Sequence, residues 1–197
     1  MSTKPASFSK KRRMVYNLGE IRTMNTDLPE DVTDAIETVE NYLENNTNYN
    51  PEKFPSLTFN EENNLEETLD SELLGSGRHR STYAINDEYV IKVGKSIANR
   101  KEVEAYNNIP DDVKKYLCPM VEHCENFRWV VMRRVDEVYE HCYNNDYPPS
   151  YLSDKMTEND IDMSDVIGKN VGRLGHRLVI IDYAEYNGSV CLADRKN

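Results

Sequence analysis

Nowhere does the chain approach the run of roughly 18 apolar residues that a bilayer-spanning helix needs, so no membrane anchor is expected. Paired Cys-x-x-Cys spacing is also missing. Cys118, Cys124, Cys142 and Cys191 are scattered, and with His123 and His141 they match no zinc module. The basic start, with Lys4, Lys10, Lys11, Arg12 and Arg13, has no apolar segment behind it, so a secretory signal is not expected and a cytoplasmic address is. Positive charge is in deficit: 24 Lys and Arg against 35 Asp and Glu give a net charge of -11. Such a field repels a phosphate backbone, and nucleic acid is not an expected partner. The chain does have 197 residues, 38% of them hydrophobic, which suffices for one modest core with arms attached.

The pattern along the chain sorts it into four stretches. Residues 1–13 read as a disordered basic tail, too polar to bury surface. Residues 14–64 read as a helical extension and linker. From Pro29 to Asn46 the residues Val32, Ile36, Val39 and Leu43 recur at helical steps, whereas 45–64 are rich in Asn and aperiodic. From Leu65 the pattern turns to short strands, ETLDSELLG, STYAIND and EYVIKVG, which predict a three-stranded antiparallel start. A helix over 97–108, a short one over 111–117 and the apolar strand FRWVVMRRV complete a unit ending near residue 136. Residues 137–197 carry a helical pattern near 150–160 and a last strand in GHRLVIIDYAE.

Two features in the strand region point to phosphate chemistry. Gly75-Ser76-Gly77 falls between two expected strands, which excludes the strand-to-helix phosphate loops and fits either a hairpin flap over a nucleotide or a plain hairpin turn. Lys92 lies mid-strand between Ile91 and Val93, so its ammonium points to the face opposite theirs. On the following helix Glu102, or as second choice Glu104, is placed to pair with it. Further on, Asp165 precedes Asn170 by five residues; with 15 Asp and 21 Asn in the chain this spacing alone carries no weight. It gains weight from the hairpin around Gly175 and the strand that delivers Asp182, because a carboxylate at a strand exit can meet Asn170 at one divalent cation.

In this order, LLGSGRHRSTYAINDEYVIKVG, NRKEVEAYNNI, LCPMVEHCENFRWVVMRRVDE and DVIGKNVGRLGHRLVIIDYAE resemble segments of the protein-kinase-like superfamily. The resemblance is to the very small kinase-like proteins of tailed viruses and haloarchaea, and the first half is similar to the host-shutoff kinase of short-tailed coliphages. It implies an α+β fold with an antiparallel-sheet N-lobe, one main helix and a truncated, minimal C-lobe. It further implies ATP and Mg²⁺ as cofactors, a protein substrate or docking partner, and a host cytoplasm if the chain is viral. Carried over by position, Gly75, Ser76 and Gly77 form the glycine loop, Lys92 holds phosphates and Glu102 orients it. Met132 is the gatekeeper, and Arg133 to Val135 the adenine hinge. Asp165 becomes the catalytic base, and Asn170 and Asp182 the metal ligands. The sequence departs from the pattern where Arg80 replaces the third glycine, Met163-Ser164 replaces His-Arg and Tyr183-Ala184 replaces Phe-Gly. The twelve residues after Glu185 leave no usual substrate platform, so a nucleotide-binding, non-catalytic relative is the rival expectation.

Overall fold

The computed structural model describes residues 28–46, 57–138, 150–158 and 170–183. Helix α1 (Glu30–Asn45) starts after Pro29 with Glu30 and Asp31 in its first turn, where carboxylates suit the helix dipole. Its buried residues, Val32, Ile36, Val39 and Leu43, are the periodic set of the sequence. Helix α2 (Phe59–Leu69) corrects two sequence expectations: residues 59–64 are not linker, and the strand expected in ETLDSELLG begins only at Leu73. Reciprocal capping defines its start: the Glu61 N–H donates to Thr58 Oγ1, and the Thr58 N–H to Glu61 Oε2 at 2.7 Å. Asp70 in the left-handed region (φ 49°) ends it.

Strands β1 (Leu73–Ser76), β2 (Arg80–Ala84), β3 (Tyr89–Gly94), β4 (Met120–His123) and β5 (Trp129–Arg133) form one antiparallel sheet in the order β1-β2-β3-β5-β4. Helix α3 (Ser96–Asn108) and the turn-length α4 (Asp111–Lys114) lie between β3 and β4. Strands β6 (Glu137–Val138), β7 (Val171–Leu174) and β8 (Arg177–Ile180) form a second antiparallel sheet, and helix α5 (Ser150–Thr157) lies between β6 and β7 in the chain. The protein is thus an α+β fold built on a five-stranded antiparallel sheet.

Alternation along the central strands divides the core in two. Ile91, Val93, Trp129 and Val131 face α1 and α2, joining Val32, Ile36, Val39, Leu43 and Leu65. Val90, Val130 and Met132 face the other way, joining Val103, Leu117, Leu152, Met156, Val171, Val179, Ile180 and Tyr183. The second sheet is fixed to the first through residues 116–118. The Cys118 N–H donates to the Ile180 carbonyl at 2.8 Å, and the Ile180 N–H to the Tyr116 carbonyl at 2.9 Å. This attachment sets where the chain emerges from β8. Among the described residues no helix is long and apolar enough to cross a membrane.

Gly94 permits a close approach that the rest depends on. A Cβ there would lie 2.4 Å from the His79 carbonyl oxygen and 2.8 Å from Arg80 Cα, both backbone atoms. Gly94→Ala is therefore expected to destabilise the fold by about 1–3 kcal/mol or more, because β2 must move off β3. Urea denaturation checks this; an unchanged midpoint would show that the strands absorb the methyl group.

Candidate functional site

Lys92 opposes Thr82 on β2 and Val130 on β5, in the middle of the sheet, and its side chain leaves by the face opposite Ile91 and Val93. The ammonium is 7% exposed with its residue and donates to Glu102 Oε1 at 2.9 Å and to the Ile181 carbonyl at 2.6 Å. Glu102, fully buried on α3, is thus the partner of Lys92, while Glu104 is exposed. Of the two helix carboxylates proposed from sequence, the structure selects the first.

Arg80 closes the arrangement. Its Nη1 donates to Glu102 Oε2 and to Asn99 Oδ1, and its Nη2 to Asp182 Oδ1 at 2.5 Å. Burial disfavours its charge, but the carboxylates of Glu102 and Asp182 outweigh that, so its pKa lies above the ordinary arginine value. Asn99 is itself fixed by donating to the Phe127 carbonyl at 2.8 Å. Two cations and two carboxylates, drawn from β2, β3, α3 and the exit of β8, therefore meet with their charges balanced.

The second sheet brings Asn170 and Asp182 to neighbouring places. Val171 pairs with Ile180, and the Ile181 N–H donates to the Asn170 carbonyl at 2.8 Å, so Asp182 follows directly on the residue opposite Asn170. Asp165 lies outside the described residues. At the proposed hinge, Met132 is buried in the core. The Arg133 N–H donates to the Pro119 carbonyl at 3.0 Å, and the Arg133 carbonyl accepts from the Cys118 thiol at 3.0 Å. Arg133 directs its guanidinium outward to Glu88 at 2.7 Å, and Val135 lies against Gly172.

The glycine loop has no internal reason for its glycines. Neither Gly75 nor Gly77 has a positive φ. Among the described residues a Cβ on Gly75 would meet nothing within 4 Å, and one on Gly77 would meet the Arg80 carbonyl at 3.8 Å. Between them Ser76 donates to Glu62 Oε1 at 2.5 Å, and Ser81 donates to the same oxygen. Glu62, buried on α2, thereby ties the loop to the part of this helix, residues 59–64, that reads as linker in the sequence.

Sequence reasoning missed Glu62 and Asn99 and saw Arg80 only as a missing glycine. The Thr58-x-x-Glu61 capping pattern was the available sign of α2. For Arg80 the sign was Gly94, the glycine that closes an apolar strand.

Among the described residues no three His, Cys, Asp or Glu side chains gather as a metal site, and Cys118 and Cys124 are free and buried. Two surface grooves, one along α1 and α2 beside Tyr42 and Asn64, the other at the end of α2 beside Glu66 and Asp70, include none of the residues of the Lys92 cluster. No family model matches the chain, and no curated protein matches it either.

Burial favours the neutral form of two weak acids beside the cluster. Burial pushes the Cys118 thiol from 9.0 up to about 12, and burial together with Glu102 raises the Tyr183 phenol well above its usual range. The Tyr183 hydroxyl meanwhile donates to the Cys118 carbonyl at 3.1 Å. Because the folded state holds the Cys118 proton more tightly than the unfolded chain does, its contribution is complete below the unfolded thiol value of 9.0. It is lost as pH rises from there toward about 12. Stability measured by urea titration is expected to fall steadily over that range; a flat profile would contradict the burial of these groups.

Proposed function

We propose that the chain is a small kinase-like phosphotransferase that binds ATP with Mg²⁺ and passes the γ-phosphoryl group to Ser or Thr of a protein. The observation that carries this reading is the buried Lys92 ammonium, held by Glu102 and by the Ile181 carbonyl one residue before Asp182. An ammonium placed in the middle of a sheet, on the face where a second sheet delivers a carboxylate, suits an anionic ligand. The glycines at 75 and 77 leave space beside the loop: a Cβ on either would meet nothing closer than 3.8 Å among the described residues, while the Gly77 N–H itself donates to the Arg80 carbonyl at 2.9 Å.

Asp182, whose side chain is 40% exposed, and Asn170, whose carbonyl accepts from the Ile181 N–H, are the residues that would hold the metal, with Arg80 bonded to one Asp182 oxygen. Mg²⁺ held there would supply positive charge against the phosphates. The chain's own residues do the rest. Lys92 binds phosphate oxygens, Glu102 aims Lys92, Met132 bounds the base, and Asp165 accepts the proton of the acceptor hydroxyl. A second reading, a nucleotide-binding protein that acts by docking on another protein, is favoured by one observation: Arg80 already occupies an oxygen of Asp182.

Incubation with γ-labelled ATP and Mg²⁺ in host lysate and in isolation separates the two. Transfer to protein Ser or Thr that disappears in Asp165→Ala is the result expected of the phosphotransferase. Nucleotide binding with no Asp165-dependent transfer would select the docking protein.

A further inference from the structure

Both the backbone and the guanidinium of Arg80 are closely held. Its backbone is pinned by the approach of Gly94, where an added Cβ would lie 2.8 Å from Arg80 Cα and 3.1 Å from its Cγ. Its guanidinium, in a residue only 8% exposed, bridges Glu102 on one side and Asp182 on the other. Lys92 takes the remaining oxygen of Glu102. Two carboxylates converging at a polyphosphate site ordinarily need a divalent ion between them and the ligand. Here a side chain of the protein itself stands between them.

We propose that Arg80 is a built-in counter-cation: it supplies at Asp182 the positive charge that a divalent ion would otherwise supply, so that nucleotide binds without metal and the metal must compete with the guanidinium for Asp182. This rests on the nucleotide-binding reading above. The reason is charge balance. With Arg80 present the cluster is neutral, its two cations paired with two carboxylates, so an arriving phosphate meets no net negative charge. Without it, Lys92 alone faces two carboxylates; the net negative charge repels a polyphosphate and attracts a divalent ion. Arginine suits the task because its planar fork can bond two carboxylates at once, and its charge is permanent.

The test is calorimetric titration of ATP, in EDTA and in Mg²⁺, into wild type, Arg80→Gln and Arg80→Lys, with Mn²⁺ binding in the absence of nucleotide followed by electron paramagnetic resonance. Wild type is expected to bind ATP in EDTA within about threefold of its affinity in Mg²⁺. Arg80→Gln is expected to lose about tenfold in EDTA, to recover with Mg²⁺, and to bind Mn²⁺ alone about tenfold more tightly than wild type. Arg80→Lys keeps the charge and is expected to keep metal-free binding. Should Arg80→Gln fail to fold by circular dichroism, Asp182→Asn decides instead, since it leaves Arg80 in place and removes the carboxylate contested by the metal. ATP binding in EDTA should then persist while Mn²⁺ binding is lost. A wild type that binds ATP only with Mg²⁺, or an Arg80→Gln protein with unchanged metal dependence, overturns the role of Arg80 and leaves nucleotide binding standing. No ATP binding under any condition overturns both.

Discussion

Glu102→Ala is expected to cost about 3–5 kcal/mol of folding stability, the usual penalty for removing one member of a buried ion-pair group. Both oxygens of this fully buried carboxylate are engaged: Oε1 by Lys92 and the Tyr183 N–H, Oε2 by Arg80. Among the described residues its loss leaves the buried ammonium with the Ile181 carbonyl and the guanidinium with Asp182 and Asn99. Against a total of about 5–15 kcal/mol for a domain of this kind, the fall in urea midpoint should be large. Glu104→Ala, two positions along and exposed, is expected to change stability by less than about 0.5 kcal/mol. Equal effects at the two positions would contradict the placement of Glu102 at the centre.

Lys92→Met is expected to weaken ATP binding by about 1.5–3 kcal/mol, the range for a hydrogen bond to a charged group. That is roughly 10- to 150-fold in affinity. Methionine preserves the length and much of the packing of the side chain, so the loss reports charge rather than shape. The remaining cation, Arg80, still covers Glu102, and the variant should fold with reduced stability. Titration calorimetry on protein with native circular dichroism checks the prediction; affinity within about twofold of wild type would remove Lys92 from the binding site.

What could be read from the sequence was what local pattern determines. Helix α1 shows its buried stripe in the spacing of Val32, Ile36, Val39 and Leu43, and β2 and β3 show themselves through alternation and the turn residues Asn86 and Asp87. The same alternation placed Lys92 on the face opposite Ile91, and the helix after it offered Glu102. Helix α2 was hidden because its packing rests on little apolar surface: Leu65 in the core, with Glu62 bonded to Ser76 and Ser81. A stretch so rich in Asn and Glu has no hydrophobic period to detect, and the capping pattern alone marked it. The bridge from Arg80 to Asp182 joins residues 102 positions apart. No local pattern encodes such a contact; it exists because residues 116–118 hold β8 beside the first sheet.

Glu62 shows how this hidden helix bears on the site. By accepting from Ser76 and Ser81 it couples α2, and through Leu65 the packing of α1, to the loop between β1 and β2. The glycine loop is therefore anchored at its middle residue, while a Cβ on Gly75 or Gly77 would meet nothing closer than 3.8 Å among the described residues.

The central claim, that the Lys92–Glu102–Arg80–Asp182 cluster forms the floor of a nucleotide site, is tested most directly by titrating ATP into the wild-type protein by calorimetry and repeating the titration with Lys92→Met. Saturable binding to wild type that is weakened at least about tenfold in the variant is the predicted result. No saturable binding by wild type at millimolar ATP, with or without Mg²⁺, would contradict it.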